Sequence, residues 1–412
     1  MNQSSFAANL SSEVEAARPI DNALVCYAAN AVAGQGGQGE FLRQMIYALD
    51  RMPHARVLSR GGTSGRTENI GLAFDGWRAS LFRMIHRTPG LRARRDFLTL
   101  LDDSDFDSKL GSHLGDVQLF DGVMGQCADA FETLSKKRVP LILTALNTHI
   151  DSLAEVLSDE HRRMGIRTPS FVHPRMRARV RREIERATCI RAVAKVVKDS
   201  FIERGVEAQK IEVVLPAVDL DYFHPVAQVD DVFRVLAVVT IDPRKGVYYL
   251  LQAFEKAAIP NSELVIIGAT GDRWSRQMLQ RFMARMKNIR IQAADVLKEP
   301  IEKTYGQASV FVHPAIEDGF GLAASQALAC GKPLITTRQT GAAELITDGR
   351  NGYVLEARDV DGLVDRLRLL ARNKSLLDEL SAAAPEAVAH LGYPAFAQAV
   401  AQLYNGALAR QC

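Results

Sequence analysis

One stretch, residues 308–336, limits the folds open to the whole chain. It opens with a β-rich apolar run, Ala308, Ser309, Val310, Phe311 and Val312, and closes with another, Pro333, Leu334, Ile335 and Thr336. Between them the sequence has the pattern of a loop that turns into a helix. Gly319 and Gly321 carry no Cβ, so the backbone can approach a ligand closely there. Leu322, Ala323, Ala324, Gln326, Ala327, Leu328 and Ala329 are good helix formers. Strand, loop, helix and strand in this order predict an α/β domain. The first turn of such a helix holds unpaired N–H groups at the positive end of its dipole, a site for phosphate or sugar oxygens. Asp318 stands at its mouth. Gln326 follows about two turns on, so the helix could present both to one ligand. The plain alternative is an ordinary Gly-rich β–α turn with Asp318 as a helix cap.

The chain of 412 residues has room for two domains. Its hydrophobic content of 47% and charged content of 24% are those of a soluble globular protein. A net charge of +3 gives no argument for nucleic acid as a partner. The five cysteines, at 26, 127, 189, 330 and 412, form no C-x-x-C pair, which predicts reduced thiols and no structural zinc. No apolar run reaches the length of a membrane span. The stretch 1–21 lacks the basic start and apolar core of a secretory signal. A cytoplasmic protein is expected.

In the first half, residues 23–28 read as a buried strand, and Glu40 to Arg51 has helical periodicity, with Phe41, Met45, Ala48 and Leu49 on one stripe. Between them, Gly34, Gly36 and Gly39 spell G-x-G-x-x-G. The next strand ends in Ser59-Arg60, which would suit a 2′-phosphate, so an NADP-dependent oxidoreductase is one reading. Against it, five residues separate Ala28 from Gly34, whereas the dinucleotide fingerprint turns sharply at the strand end. His149 follows a strand over 139–144, at the end where parallel sheets bind ligands. It either enters a cleft or caps the next helix. Residues 175–186 hold six arginines, Arg175, Arg177, Arg179, Arg181, Arg182 and Arg186, with Met176, Val180 and Ile184 on one apolar stripe. They form either a solvated helix face or a peripheral docking surface for anionic membrane.

In the second half, residues 233–239 predict a strand, 240–246 a turn and 247–257 a helix. Residues 263–268 and 289–292 predict two more strands, the second leaving through 293–297. Residues 302–308 form a short helix, 360–372 an amphipathic one and 394–410 a terminal one. Glu344 is expected to cap or brace the site, and Gly341 to line its phosphate side.

The run 313–333 resembles the signature of glycosyltransferase family 4. That signature is an acid, Gly-Phe-Gly-Leu, three residues, a second acid, then Ala-x-Ala-x-Gly-x-Pro. Asp318 matches the first acid, and Gln326 stands where the family has a second Glu. Gly36, Gly37, Gln38, Gly39, Glu40 and Phe41 are similar to the family's N-terminal Gly-Gly loop. Lys245-Gly246 matches its Lys-Gly, while Thr240 and Ile241 stand where an Arg is expected, leaving Arg244 to supply that charge.

The resemblance implies the GT-B fold: two Rossmann-like domains facing a central cleft, with the C-terminal helix crossing back to the first. The domains would be 1–217, rejoined by 394–412, on the acceptor side, and 218–393 on the donor side. It further implies a retaining, metal-independent glycosyltransferase of the hexosyltransferase type. A sugar would pass from a nucleotide-diphosphate donor to a glycan, lipid-linked or small-molecule acceptor, with no cofactor. His149, Asp318 and Lys245 are the implied catalytic residues. Gly36, Gly37, Thr240, Arg244, Lys245, Val296, Glu317, Asp318, Gly319, Phe320, Gly321, Leu322 and Gln326 are the implied donor contacts. Asp103-x-Asp105 is also the form of the metal-binding pair of GT-A enzymes, but a solvated loop or helix start is the simpler reading. Gln326 and Thr240 leave open a second class, a nucleotide-sugar-binding protein with weakened catalysis.

Overall fold

The computed structural model describes residues 19–61, 67–73, 84, 95–166, 172–226, 228, 230–270, 273–292 and 300–410. Its strands form two sheets. The first holds β1 (Val25–Ala29), β2 (Ala55–Ser59), β3 (Glu68–Gly71), β4 (Leu119–Val123), β5 (Leu141–Ala145), β6 (Cys189–Ala192) and β7 (Ile211–Val213), in the order β3-β2-β1-β4-β5-β6-β7. The second holds β8 (Phe233–Val238), β9 (Ser262–Ile267), β10 (Ile289–Gln292), β11 (Val310–His313), β12 (Leu334–Thr337) and β13 (Gly352–Leu355), in the order β10-β9-β8-β11-β12-β13. The strand pairs are parallel. β1, β4 and β5 are buried at every position. A parallel strand covered on both faces requires a continuous apolar run, which is why these segments do not alternate.

The connecting helices of the first half are α1 (Gly36–Leu49), α2 (Arg95–Leu110), α3 (Ala128–Ser135), α4 (Ile150–Arg163), α5 (Pro174–Arg186) and α6 (Lys195–Ile202). Those of the second are α7 (Val247–Ala257), α8 (Arg273–Arg285), α9 (Ile301–Gly306), α10 (Leu322–Ala329), α11 (Val360–Arg372) and α12 (Lys374–Ala383), before the terminal α13 (Tyr393–Ala409). No helix among the described residues is long and apolar enough to cross a membrane. α1 begins a full turn before the periodicity predicts. Its first turn is glycine-rich because the preceding loop folds onto it: a Cβ at Gly39 would lie 2.1 Å from Val32 O.

α13 crosses back to the first half, as the resemblance implies. Phe396 meets Phe41 of α1 edge-on at 5.9 Å, and Tyr404 Oη donates to Asp121 Oδ2 at 2.8 Å. Asp121 is wholly buried and also lies 3.1 Å from the wholly buried Arg191, whose guanidinium donates to Thr144 Oγ1 at 2.6 Å. The last helix is therefore keyed into the core of the first sheet by a buried ion pair.

Two expectations from the first half are revised. Asp103 and Asp105 do not lie in a solvated loop or helix start, but inside α2. Asp103 is buried and accepts from Asn30 Nδ2 at 2.7 Å, while Asp105 pairs with Arg60 at 2.9 Å. Nor is α5 simply a solvated face. Arg177 and Arg181 both hold Asp151, at 2.7 and 2.9 Å, and buried Arg179 pairs with Asp107.

In both sheets the strand order reverses beside the first strand, between β1 and β4 and between β8 and β11. Open α/β sheets bind ligands outside the carboxyl ends of strands at such points. The loops leaving β1, β5, β8, β9 and β11 converge there, and the two sheets present these ends to one shared space.

Candidate active site

That space is a cavity of about 900 Å³ between the halves. Gly34, Gly36, Gly37 and Gln38, at the start of α1, line it on one side, with Leu146 and Asn147 from the loop after β5. Thr240, Arg244, Lys245, His313, Asp318, Phe320, Gly321, Leu322 and Gln326 line it on the other. Ten of the thirteen sequence-predicted donor residues thus meet around one cavity, drawn from positions more than two hundred residues apart.

The second-half wall is built on α10. Gly321, with φ of 87°, ends the loop, and the helix starts at Leu322. The first N–H groups of a helix have no carbonyl one turn back, and Leu322 and Ala323 both line the cavity. Beside them, Asp318 Oδ2 lies 2.6 Å from Lys245 Nζ and 2.9 Å from His313 Nε2. Burial would raise the Asp318 carboxyl, but Lys245, His313 and Arg244 outweigh it and hold it well below the usual carboxylate range. The same burial, reinforced by the Arg244 charge, pushes the Lys245 ammonium down.

Lys245 sits in a single helical turn, Pro243–Lys245, capped by the Asp242 side chain, which accepts from Lys245 N at 3.1 Å. Gly246 follows with φ of 65°, and a Cβ there would lie 1.9 Å from Pro314 O. Only glycine lets this turn seat against the loop after β11. Lys245 is 9% exposed, so it is not the solvated Arg-Lys turn that its local sequence would allow.

Gln326 lies on the cavity side of α10, and its Oε1 accepts from Tyr305 Oη at 3.0 Å. Tyr305 is wholly buried, and a buried hydroxyl proton needs an acceptor. The carboxamide therefore offers a ligand its N–H donors, where a glutamate would offer an acceptor.

Three predicted residues stand elsewhere. His149 is the N-cap of α4. Its Nδ1 accepts from Asp151 N at 3.2 Å, its ring packs edge-on against Phe201 at 5.1 Å, and it is 6% exposed. It is not among the residues lining the cavity, where Asn147, two positions earlier, takes that place. Burial lowers the imidazole below its ordinary value, with Asp151 opposing. Glu317 is 3% exposed and faces the interior, between Arg244 and Thr148. Gly319 is a point of close backbone approach between the halves: a Cβ there would lie 1.9 Å from Leu146 O. Val296 lies outside the described residues.

Sequence reasoning missed His313 and Asn147. His313 ends a strand and lies five residues before Asp318, a spacing with no helical or strand logic to flag it. Gly341 packs beneath the loop, its ideal Cβ 2.4 Å from Gly319 O. Glu344 caps from across the interface, accepting from Lys195 N and, at 3.3 Å, from Val196 N at the start of α6. Arg358 and Tyr249 of the second half both reach the buried Glu160 of α4, at 2.7 and 2.8 Å.

Residues 222–387 match the family model described as glycosyl transferases group 1. Over 221 residues the chain is 28% identical to D-inositol 3-phosphate glycosyltransferase 2 of Catenulispora acidiphila, covering 49% of this chain and 52% of that protein. It is 27% identical over 153 residues to the capsular polysaccharide biosynthesis glycosyltransferase CapM of Staphylococcus aureus, covering 37% of this chain and 40% of that one. The chain thus spans about half the length of the curated relatives it matches. Among solved structures, sucrose-phosphate synthase from Thermosynechococcus elongatus superposes with a TM-score of 0.69 at 18% identity, covering 94% of this chain and 100% of that one. Anabaena HepE, in complex with UDP-glucose, does so with a TM-score of 0.67 at 15% identity, covering 93% and 100%. The chain therefore has the GT-B fold, and its second half is similar to the group 1 glycosyl transferases.

Proposed function

We propose that this protein transfers a sugar from a nucleotide-diphosphate donor to an acceptor hydroxyl, with retention of configuration. One observation carries the reading: Lys245, Asp318 and the N-terminus of α10 converge on one wall of a cavity whose other wall is the Gly-rich start of α1. As the sugar leaves, negative charge grows on the β-phosphate. Fixed positive groups aimed there stabilise the transition state more than the ground state. Lys245 and the N–H groups of Leu322 and Ala323 supply that charge, so the reaction needs no divalent ion for it and no cofactor beyond the donor. Asp318, kept ionised, orients the sugar hydroxyls. The relatives named above support a nucleotide-sugar donor, since HepE was solved with UDP-glucose. The domains follow the cleft: 1–217 with the returning 394–412 on the acceptor side, and 218–393 on the donor side. The acceptor, a glycan, a lipid-linked glycan or a small molecule, enters over α1.

A second reading is favoured by His149. With that imidazole fixed as a helix cap, the first half offers the cavity Asn147, and a chain with Thr240 and Gln326 as well could bind donor without turnover. A thermal-shift panel of UDP, GDP and ADP identifies the base. Release of that nucleotide from its sugar donors, with and without EDTA, then separates the readings. Slow, EDTA-insensitive hydrolysis supports the transferase. Tight binding with no release under any acceptor supports the binder. A melting temperature raised by NADP alone would overturn both.

A further inference from the structure

Resting on the reading of the cleft as a donor site, we infer that Glu317 and Thr148 position Arg244, so that the cation is presented to the diphosphate only when the two halves meet. Thr240 brings no charge to the cavity, which leaves Arg244 as the second cation beside Lys245 on the donor wall. Its backbone is already fixed, since Arg244 O accepts from Ile316 N at 2.8 Å. Only the long side chain remains free, and fixing an arginine side chain costs rotamer entropy.

Glu317 removes that freedom. Its Oε2 lies 2.9 Å from Arg244 NH1, and its main-chain oxygen accepts from the same nitrogen at 3.4 Å. Both contacts use one edge of the guanidinium. Among the described residues, Nε and NH2 of Arg244 have no hydrogen-bond partner, and the residue lines the cavity. One nitrogen is anchored and the rest of the fork is left for a ligand, a geometry that suits phosphate oxygens.

Glu317 is itself held from the other half. Its Oε1 accepts from Thr148 N at 3.0 Å and from Thr148 Oγ1 at 2.9 Å. The loop 146–148 can come this close because residue 319 is glycine, with Leu146 O where a Cβ would be. When the halves part, Glu317 loses both first-half donors, and a carboxylate at 3% exposure gains water. Arg244 then loses its fixed anchor. Closing the cleft and arming the second cation are one event, and Thr148, which does not line the cavity, is a positioning residue.

A double-mutant cycle read by UDP affinity tests this, with GDP or ADP substituted if one of them is the nucleotide that raises the melting temperature. Thr148→Val is expected to weaken binding about fivefold, and Glu317→Gln about tenfold, the scale of one hydrogen bond to a charged group. Thr148→Ser keeps the hydroxyl and should bind like the parent. In an Arg244→Ala background, Thr148→Val should change affinity less than twofold, because the residue it acts through is gone. Equal losses in the two backgrounds, or no loss with Thr148→Val alone, would overturn the inference while leaving the donor site standing. Glu317→Gln gives the same cycle if the valine variant does not fold. Failure of the parent to bind any of the three nucleotides would overturn the donor site and the inference together.

Discussion

Lys245→Ala is the perturbation that bears most directly on the proposed chemistry. The ammonium lies 2.6 Å from Asp318, with the two side chains 11% and 15% exposed. Its removal acts twice. A bound diphosphate loses one charge-assisted hydrogen bond, worth roughly 1.5–3 kcal/mol. Asp318 also loses its nearest cation, with His313 at 2.9 Å and Arg244 at 3.8 Å left to balance it. The diphosphate then enters beside a less neutralised acid, which moves the expected loss to the upper end, about 3 kcal/mol or a hundredfold in Kd. Calorimetry of UDP against uridine isolates the cause, since uridine lacks the diphosphate and should bind both proteins alike. Lys245→Ala with Asp318→Asn should recover about tenfold of the loss, because the repelling carboxylate is gone. The parent's affinity should also fall as pH rises through the lowered Lys245 pKa, below the ordinary lysine range near ~10.4. UDP affinity unchanged in Lys245→Ala, or uridine and UDP weakened equally, would refute the role.

Gly319→Ala places a methyl 1.9 Å from Leu146 O. The loops at 146 and 319 must move apart, and donor turnover should drop at least about tenfold. Tyr404→Phe removes one of the bonds to buried Asp121 and should cost about 1–2 kcal/mol in urea unfolding. Arg191→Met leaves that carboxylate without its cation and should cost about 3–5 kcal/mol. Burial raises the Asp103 carboxyl to about 7, with Asn30 opposing. The folded state therefore binds more protons than the unfolded one between the ordinary aspartate range and about 7. Stability should fall as pH rises through that window, and Asp103→Asn should reduce the slope in melting temperature there, the buried Glu183, raised to about 8, keeping the remainder.

The parts of the fold legible in the sequence were those fixed by neighbours along the chain. β11, the loop and α10 follow from apolar runs, two glycines and a set of helix formers lying side by side, and residues 360–372 matched α11 because one apolar stripe specifies an amphipathic helix. Lys245 and Asp318, which the resemblance singles out at turns with a recognisable pattern, both line the cavity. The pairing of Thr148 with Glu317 was not legible, although the resemblance names Glu317 as a donor contact. They stand 169 positions apart, and neither local pattern names the other. His149 shows how fine the margin is. The loop after β5 does reach the cavity, but the residue that ends it must satisfy the first N–H groups of α4. The imidazole is committed there, and Asn147 faces the cleft in its place.

Charge shows the same contrast. The arginines of α5 are the densest basic run of the first half, yet Asp151 takes two of them and Asp107 a third. The proposed donor wall has two cations in one short turn, also beside acids, but the pairing there is incomplete by geometry. Arg244 engages Glu317 through a single nitrogen, and Lys245 engages Asp318 through one of three donors. A field strong enough to hold a diphosphate needs cations whose remaining donors point into a space water can leave. It is the number of donors still free at a cavity wall, rather than the number of basic residues in a run, that decides where an anion binds. Neutralising Arg181 by Arg181→Gln should therefore leave UDP affinity within about twofold of the parent, whereas Arg244→Gln, which keeps hydrogen-bonding capacity but not charge, should lower it about tenfold. Equal effects of the two substitutions would mean that long-range charge, not the cavity wall, sets the affinity.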